Sequence, residues 1–232
     1  MVFMKVSTFG LDIEPGKYKY KNVYFDKLVE KFLPGKTTPY TIEFLEEDFD
    51  KTDAVVFDIN KKFDFVFIDL EKIDKRLSRA ESDEEKKLLD KVKELLEKET
   101  LLCDAEFSES EHVILKPLAP VTYKPSVGVS QVGEMNELIT KIIEKSGVVL
   151  FFTAGKKEVR AWDIKKGQSI LEAAGRIHSD LARGFIKADV VNCDKLDDFF
   201  NMTQAKAKGL VKLVDRDYIM SEGDIIEIRF NV

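Results

Sequence analysis

Residues 151–162 read FFTAGKKEVRAW, and the fold turns on how this stretch is parsed. Two apolar, strand-favouring runs, 148–152 and 159–164, flank Gly155-Lys156-Lys157. Runs of that length bounded by turn residues predict a strand pair turning near Gly155. Downstream, Ser169-Ile170-Leu171-Glu172 has the spacing of a capping box. The seryl oxygen can take the Glu172 amide while the carboxylate reaches back. Ile170, Ala174 and Ile177 give the helix it opens an apolar side. Residues 185–191, 211–214, 218–219 and 225–230 predict further short strands, with Glu222-Gly223-Asp224 as the turn before the last.

Strand, strand, helix and late strands are the order of a β-grasp sheet wrapped on one helix, so 148–232 is expected to fold as a domain by itself. Upstream, 134–146 predicts an amphipathic helix with Gly147 just past its end. Residues 5–9, 41–45 and 54–57 predict strands, and 11–21, containing Pro15-Gly16, a loop. Residues 24–33 place Phe25, Leu28, Val29 and Phe32 on one helical face, stopped by Pro34-Gly35. Residues 63–70 (FDFVFIDL) predict a buried strand, and 113–115 a short one. Residues 72–99, dense in Lys and Glu with a leucine stripe, predict a helical arm, either one helix or a hairpin broken near Ser82. The expected organisation is an α/β domain over 1–147 carrying the arm at 72–99, then an α+β domain over 148–232.

Of 232 residues, 44% are hydrophobic, enough for a real core, and 34% are charged. The net charge of −6 argues against a general nucleic-acid binder, and no DNA partner is expected; the acidic excess sits in the first 148 residues. Cys103 and Cys193 form no CxxC motif. No signal peptide is visible at the start, and no apolar run approaches the ~20 residues of a membrane span. The expected compartment is a reducing cytoplasm. His112 and His178 lie in unrelated segments, so no metal site and no catalytic set is expected; His178 is placed to bond the closing carbonyls of its helix.

The stretch at 151–162 resembles the opening of the TGS domain, the ubiquitin-like β-grasp module that ends YchF-type, Obg-related nucleotide-binding proteins. The resemblance continues through Gly167, 173–180, 184–186, 222–225 and Phe230-Asn231-Val232. More weakly, 4–17 (MKVSTFGLDIEPGK) is similar to that family's first strand and phosphate loop, 39–43 to its first switch segment, and 67–77 to the start of its helical arm. Leu115-Lys116-Pro117 is similar to the strand leading to its base-reading Asn-x-x-Glu segment. Family members are much longer, which implies a reduced P-loop-like domain here.

The residues themselves argue that the phosphate loop is degenerate. A working loop needs G-x-x-x-x-G-K-[ST], so that backbone amides, lysine and a hydroxyl meet phosphate and Mg²⁺. Gly10 and Gly16 have five residues between them instead of four, Lys17 is followed by Tyr18, and Pro15 removes a donor. Gly10, Gly16 and Lys17 are therefore a vestigial nucleotide site, with ATP or GTP and Mg²⁺ disfavoured as cofactors. No Asn-x-x-Glu follows Leu115–Pro117; 121–126 reads VTYKPS. Gly35-Lys36-Thr37 copies part of the loop but lacks the upstream glycine, and reads as a helix-stop turn.

Lys156, Lys157, Arg160, Lys165 and Lys166 surround Trp162 within eleven residues, with Arg176 beyond. Cations around an aromatic can meet phosphates and stack on a base; they can equally be a solvated face around a core tryptophan. The resemblance implies RNA or ribosome contact. The expected function is non-catalytic binding of RNA, ribosome or a protein partner, with no membrane role. The alternatives are a weak ATPase or GTPase and an adaptor acting through the arm.

Overall fold

The structure, a computed structural model, describes residues 4–231. Residues 1–3 and Val232, which bound the two expected domains and close the last matching block, lie outside the described residues. In chain order the elements are β1 (Met4–Phe9), β2 (Gly16–Lys19), α1 (Val23–Phe32), β3 (Lys36–Thr38), β4 (Thr41–Glu46) and β5 (Ala54–Asp58). Then come α2 (Lys62–Leu77), α3 (Asp83–Glu97), α4 (Glu109–Leu118), β6 (Ser126–Val129), α5 (Met135–Lys145), β7 (Val148–Ala154) and β8 (Glu158–Lys165). The chain finishes with α6 (Ile170–Ile177), α7 (Ser179–Arg183), β9 (Phe185–Asn192), α8 (Met202–Ala207), β10 (Lys212–Val214) and β11 (Asp224–Phe230).

Two compact units emerge, and no single cut in the sequence separates them. The first unites the residues up to Tyr18 with Ile42–Lys145; the second unites Lys19–Thr41 with Ser146 onward. A boundary at 147/148 therefore misses that α1 and β3 belong with the C-terminal elements.

The first unit holds a five-stranded sheet in the order β2-β4-β1-β5-β6, with β1 parallel to β4 and β5, and β5 parallel to β6. Its core joins Phe57 to Phe65, Leu89, Val92, Leu96 and Leu115. The leucine stripe of the arm is thus core, and the arm is a hairpin: Ser82 caps α3 by accepting the Glu85 amide.

Three local expectations are corrected here. The run 63–70 lies within a helix, α2. Phe65, Val66, Asp69 and Ile73 form its buried face, while Phe63 and Phe67 stack on each other outside. A helical face thus overrides the strand preference of the individual residues. Residues 113–115 also lie in a helix, α4, because Ser108 and Glu111 form a capping box. Pro117 falls in its last turn, so Leu115-Lys116-Pro117 is no strand. The expected loop at 11–21 contains the strand β2.

Glu111 also accepts from Lys91 Nζ at 2.8 Å. The Lys91 bond first, then the Ser108 amide, hold its carboxyl down from 4.5 to about 2. A depressed folded-state pKa gives stability that is complete above the unfolded value and is lost as pH falls through the folded one. Glu111→Gln is therefore expected to lower the melting temperature at pH 7. The gap from wild type should close as pH falls from 4.5 towards about 2; a gap constant across that window refutes this.

The second unit holds a six-stranded mixed sheet, β10-β9-β11-β7-β8-β3. β7 and β8 are the antiparallel pair expected around Gly155, and β11 runs parallel beside β7. Ser169 and Glu172 form the capping box that opens α6. Ala173 and Ala174, fully buried, bring α6 against Phe151, Ile164 and Val190. Strand alternation sends Leu150, Phe152, Val159 and Ala161 to the opposite face. There α1 packs on β7 and β8 with Phe25 and Leu28 buried. The 34–38 segment is more than a helix stop: β3 pairs in parallel with β8, and the Gly35 amide donates to the Lys156 carbonyl at 3.0 Å.

Candidate functional site

The six basic candidates do not form one patch. Lys156 and Lys157 sit exposed at the β7–β8 turn, which the Gly155 amide closes on the Glu158 carbonyl. Lys165 and Lys166 stand at the other end of β8, about 26 Å from Lys157 at ~3.3 Å per residue. Lys165 Nζ donates to the Ser146 carbonyl at 2.8 Å. Arg176 is committed to Asp163, donating to its carboxylate through both Nε and a terminal nitrogen. Arg183 and Lys187 are likewise paired, with Asp180 and Asp215.

What remains together is Lys156, Lys157, Arg160 and Trp162. Trp162 is half-buried, its ring near-parallel to Phe151 with centroids 6.4 Å apart. Its indole N–H donates to the Thr153 hydroxyl at 3.1 Å. The Arg160 guanidinium lies over the same ring, 3.7 Å from the centroid. Two residues that sequence reasoning missed adjoin the group across the β3–β8 pairing. Lys36 Nζ meets Glu158 at 2.9 Å, and the Thr38 hydroxyl donates to the same carboxylate at 2.7 Å. Both bonds lower the Glu158 pKa. No local sequence signal connects residues 120 positions apart. His178 is also corrected: its backbone amide bonds Ala174, while its imidazole Nδ1 accepts from the Asp180 amide and caps α7.

In the first unit, Gly10 follows β1 with φ +68°. A Cβ there would lie 2.7 Å from Cδ of Lys61, whose side chain crosses the glycine. Gly16 and Lys17 belong to β2, so the loop after β1 enters a strand instead of the helix a phosphate loop leads into. Tyr18 donates to the Glu14 carbonyl and sets its ring edge-on to Phe44. Asp58 is spent capping the turn at Asn60. Asp69 lies buried on α2, where it accepts bonds from Val121 and Thr122. Among the described residues no cluster of three or more His, Cys, Asp or Glu could hold a metal.

A cleft of about 390 Å³ opens beyond the carboxyl end of β6, lined by Gly128, Ser130, Gln131, Glu134 and Lys141. Open α/β sheets bind ligands at such strand ends. Gly128 lets the Phe57 ring lie against β6, since a Cβ would sit 2.8 Å from it. Gln131-Val132-Gly133-Glu134 has Asn-x-x-Glu spacing with Gln for Asn. A second Lys-Pro pair, Lys124-Pro125, runs into β6. The earlier pair, Lys116-Pro117, lies in the last turn of α4.

A parallel-sheet unit with a strand-end cleft, joined to a mixed-sheet unit, defines a mixed α/β protein. The same arrangement is seen in the Schizosaccharomyces pombe YchF GTPase, with a TM-score of 0.79 over 98% of this chain and 97% of that one; at 16% identity the likeness is one of fold. Residues 148–231 match the YchF GTPase C-terminal family model, described as a protein of unknown function (DUF933). The chain is 31% identical to the ribosome-binding ATPase YchF of Pasteurella multocida over 88% of its own length and 55% of that protein's. It is 29% identical to the ribosome-binding ATPase YchF of Bacillus subtilis over 73% and 64%. The chain belongs to the YchF-type, Obg-related family. It covers less than two thirds of the length of these curated relatives. No described helix is long and apolar enough to cross a membrane.

Proposed function

We propose that this chain is a non-catalytic YchF-type binding protein. In this reading the first unit is a reduced, degenerate P-loop domain. The second is a TGS-type β-grasp module that contacts RNA on the ribosome, in the cytoplasm. The observation that carries the non-catalytic half is the loop after β1, which runs into the strand β2 with Tyr18 where a seryl ligand is needed. Phosphoryl transfer is largely positioning and charge stabilisation, and a strand offers no converging amides. Support for the binding half comes from relatives named ribosome-binding and from Lys156 and Lys157, exposed beside the Arg160–Trp162 pair.

The test is co-sedimentation with ribosomes over a range of salt. Each phosphate contact releases counterions, so affinity falls steeply with salt. Lys156→Glu/Lys157→Glu is expected to weaken binding roughly tenfold or more at low salt and to flatten the salt slope by about two. The fold should be unchanged, since exposed charges contribute little to stability. Equal retention of wild type and variant would remove the basic turn from the interface.

The cleft at Gln131–Glu134 favours a second reading, residual nucleotide binding through the base. Calorimetry with ATP and GTP, with and without Mg²⁺, separates the two. The non-catalytic reading expects no Mg²⁺-dependent gain; micromolar affinity lost in Lys17→Ala contradicts it.

A further inference from the structure

Arg160 carries a more specific inference, which rests on the RNA-binding reading of the second unit. Trp162 has Phe151 near-parallel beside it on the neighbouring strand and the Arg160 guanidinium over its ring, and its indole N–H is pinned on Thr153. The guanidinium is thus a cationic plane held against the ring. Arg160 Nε is buried and has no hydrogen-bond partner among the described residues. Glu158, two positions away on β8, is already held by Lys36 and Thr38. A buried donor left unpaired is costly, yet the cation–π contact keeps the guanidinium on the ring instead of turning it to an acid. Beside it lies a cleft of about 330 Å³ that shares Thr153 and Glu158 and has Ile177, Ile228 and Phe230 as apolar lining. Lys156 and Lys157 stand exposed at the start of the same strand.

The geometry points to an unpaired nucleobase of RNA as the occupant, stacked on the Arg160 guanidinium, with its backbone phosphates led towards Lys156 and Lys157. Proteins that read unpaired RNA stack its bases on aromatic rings or on arginine planes, whereas a duplex hides those faces. The site thus takes single-stranded segments in preference to helices, and its sequence preference is weak because every base has a stacking face.

Trp162 is the one tryptophan of the chain, so intrinsic fluorescence of the full-length protein reports directly on the stack. The probes are a short single-stranded RNA and the same strand annealed to its complement. Single-stranded RNA is expected to change the fluorescence and to bind at least tenfold more tightly than the duplex. Arg160→Lys keeps the charge and loses the plane. It should weaken single-strand binding about tenfold, since stacking on one base accounts for roughly 5- to 150-fold, and leave the salt slope unchanged. Arg160→Gln, planar and uncharged, should keep the single-strand preference, with the salt slope still set by Lys156 and Lys157. It serves as the second variant, and both are compared with wild type only if their melting temperatures agree.

Equal binding of single strand and duplex, or wild-type affinity in Arg160→Lys, overturns the stacking site and leaves RNA binding through the lysines standing. A wild-type protein that binds neither probe at low salt removes the RNA reading and the site with it. Ribosome retention that survives nuclease trimming of exposed RNA, without oligonucleotide binding, assigns this face to a protein and overturns the proposal.

Discussion

Residues 148–231 expressed alone are expected not to unfold as a cooperative unit, although they contain a capped helix and five of the six strands of their sheet. The missing pieces come from Lys19–Thr41. Without α1, the face of β7 and β8 that bears Leu150, Phe152, Val159 and Ala161 is left open to water. Phe25 and Leu28 are buried against it, and burying two such side chains stabilises by about 3–6 kcal/mol. That is comparable to the whole ~5–15 kcal/mol stability of a typical domain. Two polar ties are lost as well: Tyr24 to Asp194 at 2.7 Å, and Lys31 Nζ to the Phe199 carbonyl at 2.5 Å. Joining residues 19–41 to 146–231 through a flexible glycine-serine linker should restore a sharp transition. Urea unfolding followed by Trp162 fluorescence decides: a fragment without 19–41 that melts as steeply as the joined one refutes the assignment of α1 and β3 to this unit.

Asp69→Ala should cost about 3–5 kcal/mol, the scale of leaving two or three buried neutral donors unmet at ~1–3 kcal/mol each. The Asp69 carboxylate is wholly buried and accepts from the Val121 amide at 2.7 Å, the Thr122 amide at 2.7 Å and the Thr122 hydroxyl at 2.6 Å. It is the cap that fixes the turn at Val121–Tyr123 on α2. Alanine leaves these donors without acceptors, each worth about 1–3 kcal/mol when buried and unmet. Asn keeps one acceptor oxygen and should lose less. Burial outweighs the bonds from Thr122 and Val121 and raises the Asp69 pKa above 3.8. The folded state then holds the proton more tightly than the unfolded one, so this group's contribution declines as pH rises from 3.8 through the raised value. Wild type should accordingly lose ground to Asp69→Asn across that window. Denaturant midpoints for the three proteins measure both effects; an Asp69→Ala midpoint within error of wild type contradicts the capping role.

Where a side chain bonds its own neighbourhood, the sequence was a good guide. Ser169 and Glu172, Ser82, and Gly147 with φ +59° each sit at the helix end their local pattern predicts. The strand pair around Gly155 follows from one run of twelve residues. Legibility fails where distant partners decide. FDFVFIDL is as apolar and as rich in aromatic and β-branched residues as a buried strand, but Asp69 finds its donors about fifty residues on, and that bond belongs to a helical face. The basic cluster looked single because eleven residues are close in sequence; an extended strand holds its two ends far apart. Lys36 and Thr38 joined the site through a parallel pairing that no local pattern foretells.

The interleaved path also sets a schedule for the growing chain. Thr38 meets Glu158 across 120 positions, and at ~5–20 residues per second about 6–24 s pass between their appearances during synthesis. For that interval α1 has its apolar side ready and no sheet to lay it on, while the strands of the first unit emerge and pair. The wait then runs to the last described strand, because β11 lies in the middle of its sheet, between β9 and β7. A nascent chain stalled before residue 224 therefore holds two half-sheets with nothing to join them, and the second unit closes only when its central piece arrives.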